Sequence, residues 1–543
     1  MSGRPPRRRL LLAVALLVAL AALFVAAARA LPGLLERGIV RWARGAGVED
    51  VALAVRSVGW RALEIGDVRV GAGGDVSLGT LRIEYSAGGL LRRRLDRVAL
   101  ADLHVRGTWG EQGLSIPPLD PLLASEPGAA DEAAFPPALP LRQLEVQGAR
   151  LELETPGGLV AVEGLEADLA WRSGAGPLPQ GSLRIRELAS LAAPPLVRPL
   201  VVEAVLEPAP GALGFRVRAT DTTQRLVVQV EGEHRLEPGT GSARLGLSPL
   251  RLEGDALPEL FPVLAGVVEE GGGTVTAGGS VGWSRAGPDA SDLRVEIRGV
   301  SLETQAAAIE RVDGTILLSG WPPATPAPQR LQVAKVTSGL ELSQGEIVFA
   351  VDRRQRLDLS QARFSTLGGA LVATGQIDPA APRQAVLLTL EAIDLAKLLA
   401  WLDVEGLSGE GVADGSLVAA YEGGNVLLED GTFRARDEGG WLRYRPAAGP
   451  PPNFVDPQGL DLVRAALHDF HYTGLGGTLA GPLEGDLAVA LRIDGANPDL
   501  YAGHPVRLDL NLTGPLFGVM RSSQWVLGIP KALERGLEKG LSR

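Results

Sequence analysis

The residues best able to do chemistry fall into two short patterns, and the first surrounds Ser280. Residues 278–282 have the order Gly-Gly-Ser-Val-Gly, which matches the G-x-S-x-G motif of a nucleophile elbow. That motif requires a strand before the serine and a helix after it. The residues that follow, 283–288, include a glycine and a proline and cannot start such a helix. The pattern therefore predicts a glycine-rich hairpin and not a catalytic serine.

The second pattern is the H-x-x-H spacing of His468 and His471, which could belong to a metal-ligand pair. On a strand, side chains three positions apart point to opposite faces and cannot share one metal ion, so we expect two structural histidines. The other histidines are scattered, and the chain has no cysteine, no H-E-x-x-H and no glycine-rich phosphate-binding motif. The sequence thus predicts no catalytic residue, no metal site, no cofactor and no enzymatic activity.

Composition narrows the class of protein further. The 543 residues carry 53 basic and 64 acidic side chains, a net charge of −11, which argues against nucleic-acid binding. Aromatic residues make up only 4% of the chain, whereas Gly (70) and Pro (39) are abundant. This excess favours many turns between strands and argues against a helical bundle.

The N-terminus predicts a membrane anchor. Residues 10–28 are nineteen consecutive apolar residues that include Leu10, Leu17, Phe24 and Ala28, enough to cross a bilayer as a helix. Four arginines precede them, so the tail should lie in the cytoplasm and the body outside. A cleaved signal peptide is the alternative, but its apolar region would usually be shorter. We expect the anchor to remain attached and its helix to continue as far as Trp42.

The rest of the chain has the pattern of strands. Apolar and polar residues alternate between residues 51 and 513, which is typical of half-buried β-strands. Short segments without crossover helices predict an antiparallel meander of roughly 25–30 strands of five or six residues. Arg294, Glu296, Arg298 and Arg492 should face water. The clearest positions on the apolar face are Leu293, Val295, Ile297, Ile347, Phe349, Leu487, Val489 and Leu491.

Helical patterns are few, at residues 256–268, 394–404, 458–466 and 523–541. The first two each lead into a glycine-rich turn, which indicates a weak internal repeat. These observations divide the chain into a basic tail (1–9), a transmembrane anchor (10–31), an N-terminal β segment (32–116), a Pro-rich loop (117–140), middle β repeats (141–404), a C-terminal β region (405–514) and a terminal amphipathic helix (515–543).

So few helices cannot cover so many apolar strands. Two sheets could cover each other as sandwiches, or one long sheet could curl round its own apolar face and leave a groove. A groove of Leu, Val and Ile, with no polar group to hold a headgroup, would suit acyl chains. The period of two does not decide between these two architectures.

A series of C-terminal segments has a specific order and spacing: residues 406–415, 431–433, 439–444, 465–472, 485–487, 495–498 and 503–512. Residues 81–86 and 89–91 add an N-terminal match. Together they resemble the YdbH-like family of AsmA-like proteins, which are anchored in the inner membrane of Gram-negative bacteria. An older name for this region refers to dicarboxylate transport. One membrane span and the lack of a basic cluster do not favour that activity.

The resemblance implies a curled antiparallel sheet with a hydrophobic groove that moves phospholipid from the inner to the outer membrane. It also implies a periplasmic body and a small outer-membrane lipoprotein as partner. The alternative is a protein of a different functional class: a periplasmic structural or assembly factor that is made of β-sandwiches and binds envelope proteins.

The last predicted strand, residues 507–513, offers an edge for that partner. An open meander ends in an unpaired strand, and a free edge can add a strand from another chain. We expect Leu508, Leu510 and Leu512 on one face of this strand, with Asp509 and Asn511 on the other. The helix that follows should cover the groove end, contact a membrane or guide the partner.

Overall fold

The computed structural model describes much of the chain between residues 31 and 514. The described ranges are 31–48, 50–71, 73–92, 94–110, 113–120, 141–155, 158–171, 178–236, 239–285, 287–305, 307–445, 465–483, 485–500 and 503–514. The apolar stretch predicted as an anchor and the predicted terminal helix lie outside them, as does most of the helix predicted at 458–466. Within these ranges, no helix has the length and apolar character needed to span a bilayer.

The chain divides into two compact units, with boundaries after residues 245, 281 and 287. The N-terminal unit takes its residues from 1–245 and 282–287, and the C-terminal unit takes the others. The first strands are β1 Val51–Val58, β2 Ala62–Val70, β3 Val76–Glu84, β4 Leu95–Gly110, β5 Gly113–Ser115, β6 Leu141–Thr155, β7 Gly158–Ala170, β8 Gln180–Ser190, β9 Leu200–Ala209, β10 Ala212–Asp221, β11 Val227–Arg235, β12 Thr240–Arg251 and β13 Val268–Ser284.

The later strands are β14 Gly287–Thr304, β15 Ala308–Ser319, β16 Gln329–Thr337, β17 Glu341–Val351, β18 Leu357–Thr366, β19 Gly369–Ile377, β20 Arg383–Asp394, β21 Leu407–Glu410, β22 Val412–Glu422, β23 Asn425–Ala435, β24 Gly440–Tyr444, β25 Phe470–Pro482, β26 Leu487–Ala496 and β27 Val506–Gly514. The described helices are α1 (31–45), α2 Ala87–Leu91, α3 Ala256–Leu260 and α4 Leu395–Leu402, with a 3-10 turn at Pro262–Leu264.

The mainly β prediction is confirmed, and residues 31–45, which include Trp42, are helical as predicted. The described ranges contain 27 strands, which is within the predicted range, but the predicted strand length of five or six residues was wrong. Strands β13 and β14 have 17 and 18 residues, because glycines that suggested turns lie inside strands. Residues 278–282 lie within β13, in one strand of the hairpin that β13 forms with β14, so these glycines are in a strand and not in the turn. A Cβ atom at Gly279 would collide with the carbonyl oxygen of Asp292 on β14, so the bare backbone permits the close approach.

Neighbouring strands pair in chain order and antiparallel over most of the described residues, as a meander does. The prediction of a purely antiparallel sheet was nevertheless wrong, because β4 and β6 pair in parallel, with Leu100 opposite Val146. A parallel pair needs a long connection. The chain supplies one between β5 and β6 in the segment predicted as a Pro-rich loop.

Bulges interrupt many of the strand pairs. Register shifts occur at residues such as Gln344, Ala392 and Asp430, or beside them, and each of these three has a positive φ between 50° and 55°. A β-bulge bends its strand and increases the local twist. The sequence does not mark these positions with glycine, so the bulges could not be predicted from composition.

Packed cores cover local parts of each sheet. In the N-terminal unit, Ala43 at the end of α1 and Val48 pack against Val70, Val76 and Val105 on β2, β3 and β4. The C-terminal unit has a larger core where α4 and the β21–β24 pair meet the ends of the longer strands. These cores secure the sheets at particular strand ends.

Candidate functional site

All eight residues predicted for the apolar surface lie on one face of the C-terminal unit. Residues directly opposite each other in a β-ladder place their side chains on the same face. Following the register from β14 to β20 gives the unbroken series Ile297, Gly314, Leu331, Ile347, Ala362, Ala373 and Leu388. From β20 to β27 the series is Leu390, Gly415, Phe433, Gly477, Leu491 and Leu510.

The other predicted positions follow from the period of two. Leu293 and Val295 alternate with Ile297 on β14, Phe349 with Ile347 on β17, and Leu487 and Val489 with Leu491 on β26. We call this surface, from Leu293 to Leu512, the C-terminal apolar face. It contains every member of the predicted set.

The opposite side of the same strands is charged. Arg330 and Glu346 form an ion pair between β16 and β17, with 3.2 Å between Nη1 and Oε1. Arg492 on β26 pairs with Asp509 on β27 at 2.9 Å between Nε and Oδ1. The strands therefore have one solvent-exposed side with ion pairs and one apolar side.

The apolar face is only partly covered. Of the eight predicted residues, Phe349 and Leu487 are buried, whereas the other six are half-buried. Side chains in the middle of a sandwich core would be buried almost completely. The exposure of these six side chains favours a face that can accept an apolar ligand.

Aromatic side chains cover glycines on the same face. A Cβ atom at Gly345 would collide with the ring of Phe364 on the neighbouring strand, and one at Gly477 would lie 2.7 Å from the ring of Phe433. Each ring thus fills the space that its glycine leaves beside it, an arrangement known to stabilise β-sheets. Glycines at these positions do not interrupt the apolar surface.

The N-terminal unit has an apolar face built in the same way. Directly opposed residues from β3 to β11 form the series Leu81, Leu100, Val146, Ala167, Leu183, Ala204, Val217 and Val230. Ion pairs such as Arg106–Glu152, at 2.8 Å between Nε and Oε2, lie on the other side. We call this surface the N-terminal apolar face. None of these residues belongs to the set predicted from the sequence, although the same alternation marks them.

The C-terminal segments that carried the resemblance build the core that covers one end of the C-terminal apolar face. The hydroxyl of Tyr472 donates a hydrogen bond to the carbonyl of Glu410 at 2.9 Å. A Cβ at Gly411 or Gly440 would collide with this tyrosine, which explains both glycines. The side chain of Asn497, 2% exposed, donates to the carbonyls of residues 465 and 466. These residues therefore act in folding.

Asp414 belongs to one of those segments and joins three strands. Arg436, just after β23, donates two hydrogen bonds to its carboxylate, with distances of 2.8 Å (Nε–Oδ2) and 2.9 Å (Nη2–Oδ1). The backbone N–H of Ala392, at the bulge in β20, donates a third at 2.7 Å. The hydrogen bonds from Arg436 lower the pKa of Asp414 to about 2. The carboxylate thus fixes the bulge against β22 and β23.

We expect Asp414→Asn to lower the free energy of unfolding by about 1 kcal/mol at pH 7, a modest value because solvent screens a half-exposed pair. A lowered pKa stabilises the fold above the unfolded pKa of about 4, and this contribution disappears as the pH falls towards 2. The difference between wild type and variant in urea unfolding should therefore shrink between about pH 5 and pH 2. Asp509→Asn, which removes a single exposed pair, is the control. A difference that does not change with pH would contradict the ionic origin.

His468 and His471 do not lie on the same strand, so it was wrong to assume that they are three positions apart on one strand. His468 lies in the turn before β25, where its carbonyl accepts a hydrogen bond from Arg445 at 3.2 Å. His471 lies on β25, with 3.7 Å between its Nε2 and Oδ1 of Asp469. In the described ranges, no three His, Asp or Glu side chains are grouped so that they could hold a metal ion.

The last strand lies where the partner edge was predicted. β27 is antiparallel to β26, and among the described residues β26 is its only partner. Leu508 is buried in the core, Leu510 and Leu512 are half-buried, and Asp509 and Asn511 are exposed on the other side. The outer backbone groups of β27 are therefore at an edge of the described sheet.

The fold and its faces define a mainly β protein with extended apolar surfaces. The chain belongs to the YdbH-like family. The family model described as "YdbH-like: Intermembrane phospholipid transport protein YdbH" matches residues 15–173 and 136–538. This is an envelope-associated lipid transport family and not an enzyme family. Comparisons with curated proteins and with solved structures each gave no match.

Proposed function

We propose that the protein carries glycerophospholipids from the inner to the outer membrane, with their acyl chains lying along the apolar faces. The observation that carries this proposal is the unbroken series of apolar and glycine partners from Ile297 to Leu510, on a face whose central side chains remain half-buried. Covering an acyl chain is favourable by about 0.8 kcal/mol per methylene group. An uninterrupted apolar surface allows a chain to move without exposing those groups to water.

The proposal is tested by finding which side of one strand contacts lipid. Ile347 and Val348 are adjacent on β17, both are half-buried, and they lie on opposite faces. A photoreactive residue should crosslink to phospholipid in cells from position 347 and not from position 348. The β-sandwich alternative requires the apolar side chains to pack against protein, and their partial exposure does not favour it.

We further propose a single-pass protein of the inner membrane, with residues 10–31 as the anchor and the body in the periplasm. The support is the apolar stretch after four arginines and the family membership. The helix α1, which follows directly, would carry the chain from the bilayer to the sheet.

If residues 10–31 are a membrane anchor, the N-terminus of the protein is not cleaved. The mature protein should still contain Arg7, and a reporter enzyme fused after Arg543 should be active only outside the cytoplasm. Mass spectrometry of the purified protein and activity of two compartment-specific reporters measure these two results. A mature chain that begins near Leu31 would show that the segment is a signal peptide.

The partner that we propose is a small outer-membrane lipoprotein that adds a strand to β27. The support is the free side of β27 among the described residues, together with the exposed Asp509 and Asn511. Strand addition uses backbone hydrogen bonds for affinity and side-chain contacts for specificity. The C-terminal edge would then be the end at which lipid leaves the protein.

A further inference from the structure

An exposed apolar patch lies at the start of the N-terminal sheet. Trp60, in the turn between β1 and β2, is 87% exposed. On α2, which follows β3, Leu90 is 50% and Leu91 87% exposed. Arg61 and Arg92 are exposed beside them. We call these five residues the Trp60 patch.

The turn and the helix that carry the patch are held together. The hydroxyl of Tyr85 donates to the carbonyl of Gly59 at 2.7 Å, and the N–H of Tyr85 donates to the carbonyl of Arg61 at 2.9 Å. Ser86 caps α2 by accepting a hydrogen bond from the N–H of Gly89 at 3.2 Å. Trp60 and Leu91 are therefore displayed from one fixed tip and not from two independent loops.

The charge of the tip differs from that of the chain. The whole protein has a net charge of −11, whereas both charged members of the Trp60 patch are arginines. Two carboxylates lie near the patch. Glu84 is paired with Arg82, with 3.0 Å between Oε1 and Nε, and Oδ1 of Asp96 would lie 3.6 Å from a Cβ atom at Gly89. Tryptophan and arginine are favoured where proteins meet lipid headgroups, and basic residues are attracted to anionic lipids.

The patch is also close to the predicted bilayer along the chain. The predicted span ends at residue 31, and the helix α1 covers 31–45, about 22 Å at its usual rise. At the same strand ends the N-terminal apolar face begins, with Leu63 opposite Ile83 and Ile83 opposite Val98. A tip held at the membrane would bring these residues to the lipid.

We propose that the Trp60 patch inserts into the headgroup layer of an anionic membrane and holds the start of the N-terminal apolar face against it. The patch docks through burial of Trp60, Leu90 and Leu91 and through attraction between the two arginines and anionic headgroups. The closeness of the patch to the bilayer rests on the proposed anchor, and the role of the face as lipid acceptor rests on the proposed function. The exposure and the charge of the patch depend on neither.

Because the chain contains no cysteine, single-cysteine variants of the full-length protein can report on this contact. Leu91→Cys and, as control, Leu196→Cys would each carry the fluorophore NBD. Leu196 is also exposed, at 45%, but lies between β8 and β9 at the other ends of the strands. The protein is reconstituted into vesicles of phosphatidylethanolamine and phosphatidylglycerol that contain a lipid spin-labelled near the headgroup.

We expect strong quenching at position 91 and little at position 196. In the Leu91→Cys background, Trp60→Ser should reduce quenching, and Arg61→Glu or Arg92→Glu should weaken insertion by about fivefold each. With the protein reconstituted, equal quenching at both positions, or no quenching at position 91, would overturn the proposal and point to a protein partner. Phospholipid crosslinking at Ile347 is an independent measurement. If quenching at position 91 is seen but no phospholipid is crosslinked at position 347, transport along the face is refuted. If phospholipid is crosslinked at position 347 but there is no quenching at position 91, only the docking is refuted.

Discussion

Val295→Asp should abolish lipid transfer while the protein remains folded. Val295 is half-buried on the C-terminal apolar face, opposite Ile316 on β15. An aspartate in a hydrocarbon environment costs about 2.5–3.5 kcal/mol, and we expect a cost of this order where it faces lipid. Since about 1.4 kcal/mol corresponds to a factor of ten in rate, transfer should slow by about a hundredfold. Transfer of a fluorescent phospholipid between vesicles measures the rate, and circular dichroism with urea unfolding measures the fold.

The strand opposite β14 offers a matched control. Leu317 pairs with Arg294 on the charged side, so Leu317→Asp adds the same charge where water and an arginine can accept it. Val489→Asp and Ala490→Asp repeat the comparison on β26, since Ala490 is exposed on the charged side. Both controls should keep normal transfer. If all variants of the apolar face unfold while the controls fold, the face is a packed core and the sandwich alternative gains support.

Crosslinking from the last strand should capture one small outer-membrane protein in cells. Asp509 and Asn511 are exposed on β27, and a strand added to its free side would place a neighbour beside them. Photoreactive residues at these two positions should give a single adduct of low mass, identified by mass spectrometry. The yield of this adduct should be either high or close to zero, because adjacent strands lie only about 5 Å apart and a paired strand would be within reach.

The control is Arg363, exposed on β18, which pairs with β17 and β19 on its two sides. An interior strand has no free edge, so a photoreactive residue at Arg363 should give no such adduct. Capture at Trp42 alone, close to the predicted anchor, would reverse the polarity that we propose.

The alternation of residues was enough to predict the strands and the membership of the apolar face. Leu487, Val489 and Leu491 alternate with Ala488 and Ala490, and the register places them as the pattern indicated. This works because the side-chain period of a strand is two, whatever the strand pairs with. A meander pairs each strand with the next one in the chain, so this prediction missed the parallel β4–β6 pair, whose strands are separated by β5.

Glycine was the main source of error. Gly279 belongs to a motif that suggested a turn, but it lies inside β13, where the neighbouring backbone occupies the space of a Cβ atom. Such a contact joins residues far apart in sequence, so composition alone cannot show it. The roles of Asp414 and Asn497 were missed for the same reason, since their partners lie on other strands or turns.

The central claim is that phospholipid acyl chains contact the apolar face, and crosslinking from one strand tests it most directly. A photoreactive residue replaces Ile347 or Val348 in the full-length protein in cells, and lipid attached to the purified protein is identified by mass spectrometry. The two side chains are adjacent and both half-buried, so the two positions differ mainly in the face of β17 on which they lie. We predict phospholipid adducts at position 347 and none at position 348. No adduct at 347, or equal adducts at both positions, would contradict the account.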